Sequence, residues 1–73
     1  MYYAEIKTVS DSYGAILVDN TLVGMIRGLI SLRKEEGIEA EDLEEVEIRV
    51  RDTDLIVLKA KFLEQHNALE IYY

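Results

Sequence analysis

The chain has 73 residues and a formal charge of −7, from 8 basic and 15 acidic side chains. Apolar residues at 49% and charged residues at 32% are the balance of one small globular domain, residues 1–73, and exclude a disordered chain. With no cysteine, disulfides and thiolate metal sites are excluded; a single histidine disfavours an ordinary zinc site, and the negative charge disfavours direct binding to nucleic acid.

Tyr2 to Val9 alternates, with Tyr2, Ala4, Ile6 and Thr8 on one side and Tyr3, Glu5, Lys7 and Val9 on the other. That is the period of a half-buried strand. Ser10 to Gly14 is rich in turn-forming residues, and Ala15 to Val18 is a short apolar strand returning as a hairpin. The opening MYYAEIK lacks the features of a signal peptide, and no apolar run reaches the ~20 residues that span a bilayer. A cytoplasmic protein with no membrane contact is the expectation.

Thr21 to Glu36 is the one stretch with a helical period. Leu22, Met25, Ile26, Leu29, Ile30 and Leu32 recur at three and four, forming an apolar stripe. Asp19 or Asn20 is expected to cap its start, and Gly37 its end, with Ile38 folding back on the last turn. Gly24 and Gly28, four apart, predict a close approach to the protein's own sheet or to a second helix. Glu35 and Glu36 stand at the negative end of the helix dipole, a local cost.

The segment EEGIEAEDLEEVE follows, with eight acids in thirteen residues and no base. The rest of the chain carries 8 basic and 7 acidic residues, so the acidity is local. Val46, Ile48 and Val50 then alternate with Glu45, Glu47, Arg49 and Arg51, as in a strand. After the turn Asp52 to Asp54, a strand is predicted over Leu55 to Leu63, with Ile56, Leu58, Ala60 and Phe62 on its buried side. Matching apolar faces sets Val50 opposite Ile56, Ile48 opposite Leu58 and Val46 opposite Ala60, and charged Glu47 opposite Lys59 and Glu45 opposite Lys61. A loop over Glu64 to Asn67 leads to a last strand, Ala68 to Tyr73, with Phe62 facing Leu69, Ala60 facing Ile71 and Leu58 facing Tyr73.

The fold expected is α+β: a single helix packed on one face of a mainly antiparallel sheet, in the order ββαβββ. No catalytic constellation emerges. His66, in a predicted loop, has no nucleophile or orienting carboxylate nominated beside it. Asp52 and Asp54 have the spacing of a shared divalent ion, but a tight turn explains both. Arg49, Arg51, Lys59 and Lys61 form a basic strip near Tyr3 and Tyr72, interrupted by Glu45, Glu47 and Glu70, which cancel most of its field. No cofactor or metal is expected.

The expectation for function is a small acidic non-catalytic binding protein. Glu35, Glu36, Glu39, Glu41, Asp42, Glu44 and Glu45 are the predicted contact to a basic protein surface. Its sharpest form is an inhibitor that mimics DNA charge and blocks a nucleic-acid-processing enzyme. The analogy, from size and acidity alone, is with anti-CRISPR, anti-restriction and repair-enzyme inhibitors of phages and mobile elements. The alternative is a homodimeric structural or scaffold module, associating through the sheet around Leu55, Val57 and Tyr72 or through an exposed edge.

Overall fold

Two alternating runs, one helical run and three more alternating runs fold as their periods require. The computed structural model describes residues 1–43, 45–64 and 69–73. Among them the elements are β1 (Tyr2–Lys7), β2 (Gly14–Asp19), α1 (Leu22–Glu36), β3 (Val46–Val50), β4 (Ile56–Phe62) and β5 (Leu69–Tyr72). A 3-10 turn at Ala40–Asp42 lies between α1 and β3. The sheet is five-stranded, in the order β2-β1-β3-β4-β5, and every neighbouring pair is antiparallel. Since β2 and β3 both run against β1, they are parallel to each other, and α1 carries the chain from one to the other past β1.

Alternation places Ala4 and Ile6 of β1, Val46 and Ile48 of β3, and Leu58, Ala60 and Phe62 of β4 in one core. Met25 and Leu29 of α1 fill it from above, and Ile38 and Leu43 close it from the connection to β3. The helix comes close to β2 because Gly28 has no side chain: a Cβ there would lie 3.0 Å from a Leu17 methyl. Gly28 therefore serves packing on the protein's own sheet, and Gly24 leaves room for the Asp19 carboxylate.

Several boundaries differ from the sequence expectations. The N-cap is Thr21 rather than Asp19 or Asn20, and its side chain accepts from the Gly24 amide at 2.9 Å. Asp19 still belongs to β2, and its carboxylate supports the cap by accepting from Thr21 N at 2.9 Å and Thr21 Oγ1 at 3.2 Å. At the other end Gly37 takes φ 64, and the amides of Gly37 and Ile38 both donate to the Arg33 carbonyl. β1 stops at Lys7, because Thr8 turns inward to bond Tyr13, and Val9 swings out to 68% exposure.

The β3–β4 register holds at Val46–Ala60, Glu47–Lys59 and Ile48–Leu58, then shifts so that Arg49 faces Ile56. Asp54, at φ 63, tightens the turn: its amide reaches the Val50 carbonyl at 2.7 Å, and Val50 N reaches Leu55 O at 2.9 Å. Val50 thus meets Leu55 rather than Ile56, one residue sooner than matching faces predicted, and a bulge absorbs the difference. Ile56 is left 41% exposed. The β4–β5 pairs Phe62–Leu69, Ala60–Ile71 and Lys61–Glu70 form as expected, and β5 ends at Tyr72, short of the Leu58–Tyr73 pair. The predicted loop residues Gln65, His66 and Asn67 lie outside the described residues.

Candidate partner-binding surface

The predicted acidic contact divides into two groups. Glu35 and Glu36 end α1, and Glu39 and Glu41 flank and enter the 3-10 turn; all four are exposed. No ion pair reaches them among the described residues, where the pairs are Lys7–Asp11, Arg49–Glu47 and Lys59–Glu45. They lie within seven residues, so the six steps from first to last span at most roughly 20 Å.

Asp42 and Glu45 point to partners inside the protein. Asp42 holds the β1–β2 turn, with Oδ1 accepting from Ser10 N and Oδ2 from Ser10 Oγ, each at 2.9 Å. Its carbonyl accepts from Val9 N at 2.7 Å. Glu45 precedes Val46, a core residue, so alternation sends Glu45 to the open face of the sheet. There it accepts a hydrogen bond from the Tyr72 hydroxyl and lies 3.7 Å from Lys59 Nζ. The bond to Glu45, then burial, then the charges of Glu45 and Glu70 push the Tyr72 phenol up to about 12. Glu44 lies outside the described residues.

Two members of the basic strip, Arg49 and Lys59, are engaged in the same way. Arg49 pairs with Glu47 at 3.1 Å and donates to the Asp54 carbonyl at 2.8 Å, and Asp54 accepts from the Tyr3 hydroxyl. Glu47 therefore pairs along its own strand, although its cross-strand neighbour is Lys59.

No family model, curated protein or solved structure matches the chain. Among those described, no helix is long and apolar enough to cross a membrane.

The three apolar residues predicted on the open face differ in their surroundings. Leu55 is 65% exposed in the turn before β4, Val57 is half-buried, and the Tyr72 hydroxyl is held by Glu45. The larger exposed aliphatic pair is Ile16 and Val18 of β2, around a depression shared with Tyr3 and Arg51. Alternation in Ala15 to Val18 does signal two outward residues. That they stand at the sheet's border follows only from the strand order.

Proposed function

We propose that this chain is a small acidic, non-catalytic binding protein that presents Glu35, Glu36, Glu39 and Glu41 to a basic surface on another protein. The observation that carries it is the contrast within one segment: Asp42 and Glu45 have internal partners, whereas these four are exposed with none among the described residues. The carbonyl end of α1 adds negative potential at Glu35 and Glu36. A lysine or arginine from a partner removes the repulsion there and gains charge-assisted hydrogen bonds. The finer form is an inhibitor whose carboxylates stand in for DNA phosphates in the groove of a nucleic-acid-processing enzyme. With Asp42 and Glu45 engaged by partners within the chain, that form rests on the four exposed carboxylates.

The test is retention of basic proteins from a lysate on the immobilised chain, followed by elution in a salt gradient. Reversing Glu36, Glu39 and Glu41 to lysine is expected to abolish retention, and elution of the native complex should fall at moderate salt. A control reverses Glu5, Asp52 and Glu64, which are also exposed, giving the same net charge. Equal loss in both variants would show that overall charge alone drives retention, and would overturn the assignment of the site. A homodimeric scaffold module is the alternative, favoured by the exposure of Ile16 and Val18.

A further inference from the structure

Strand β2 forms one border of the sheet, with no strand beside its outer edge among the described residues. Its pairing with β1 runs unbroken from Tyr2–Asp19 to Lys7–Gly14. Sheet borders are ordinarily blunted by brevity, lysine, proline or a bulge, because unpaired amides and carbonyls are a template for another strand. β2 has none of these devices. Its sequence is GAILVD, and its one charge, Asp19, sits at its end. The opposite border, β5, has four residues and carries Glu70 among them.

We propose that β2 pairs with β2 of a second copy of this chain, antiparallel about a two-fold axis at Leu17, joining two sheets into one. The inference rests on self-association, the alternative named above, and is independent of the acidic contact. The register follows from the side chains. An axis at Leu17 keeps open face beside open face, and it sets Ile16 of each copy opposite Val18 of the other. Exposures of 65% for Ile16 and 45% for Val18 are thereby reduced by aliphatic contact, twice over by symmetry. Charge favours the same place. Two copies at −7 repel, and Gly14 to Val18 is an uncharged border along which they can approach.

Sedimentation of the whole chain across the micromolar range should show a dimer that persists in high salt. The double variant Ile16→Lys, Val18→Lys should keep its circular dichroism and raise the dissociation constant by about tenfold or more. Because the chain has no cysteine, the register can be read by oxidation. A mixture of Ile16→Cys and Val18→Cys chains should cross-link, and either alone should cross-link far less. A native chain that stays monomeric overturns both the pairing and self-association. A dimer unchanged by the two lysines, or cysteine variants that cross-link equally alone and mixed, overturns the β2 pairing and leaves self-association standing.

Discussion

Arg33 is a charge at a position where the helical period calls for an apolar residue. Four residues on from Leu29, it is 3% exposed, and its Nε donates to the Ile38 carbonyl at 3.2 Å. Its guanidinium lies 4.9 Å from the centre of the Phe62 ring. The apolar stripe read from the sequence omitted this position, because an arginine in a helix is usually solvated. Here it serves the carbonyl beyond the helix end and covers an aromatic face. Arg33→Ala is expected to lower stability by roughly 2 kcal/mol in urea denaturation, the scale of a lost hydrogen bond from a charged donor plus the aromatic contact. Tyr72 offers a second test at this scale. Its phenol is raised from an ordinary 10.0 to about 12 in the folded chain, so its stabilising effect is complete below pH 10 and is lost as pH rises through 12. In an absorbance titration the late component assigned to Tyr72 should be lost in Tyr72→Phe and moved to lower pH in Glu45→Gln.

At the scale of an element, the N-terminus of α1 couples two residues that sequence spacing treats separately. A Cβ at Gly24 would overlap the Asp19 carboxylate, which holds the Thr21 amide and hydroxyl. Gly24→Ala raises helix propensity by about 1 kcal/mol, yet it displaces Asp19 from bonds of similar worth. The substitution is therefore expected to be neutral or destabilising alone and stabilising in the Asp19→Ala background. A double-mutant cycle by denaturant unfolding should give a coupling of about 1 kcal/mol, and additive effects would disprove the contact. The hairpins were legible because two faces of opposite polarity leave few registers open. The bulge beside Arg49 was not, since it depends on Asp54 adopting a left-handed backbone, which its side chain permits without requiring.

For the whole molecule, the charge of −7 matters less than its placement. Reversing Glu36, Glu39 and Glu41 changes two charges at each position and takes the chain to −1. None of the three has an internal ion-pair partner among the described residues, so thermal stability should hold or rise while binding is lost. A fall in melting temperature would mean that those carboxylates support the fold.

Local periodicity and turn chemistry determined the strands, the helix, the glycine stop and most of the pairing, because each follows from which residues lie next to one another along the chain. Tertiary structure alone decided that β1 sits beside β3, which makes β2 a border and exposes Ile16 and Val18. It also decided which acids find a partner within the chain. Asp42 reaches Ser10 and Glu45 reaches Lys59 only after distant segments meet, and no spacing rule carries information across that separation.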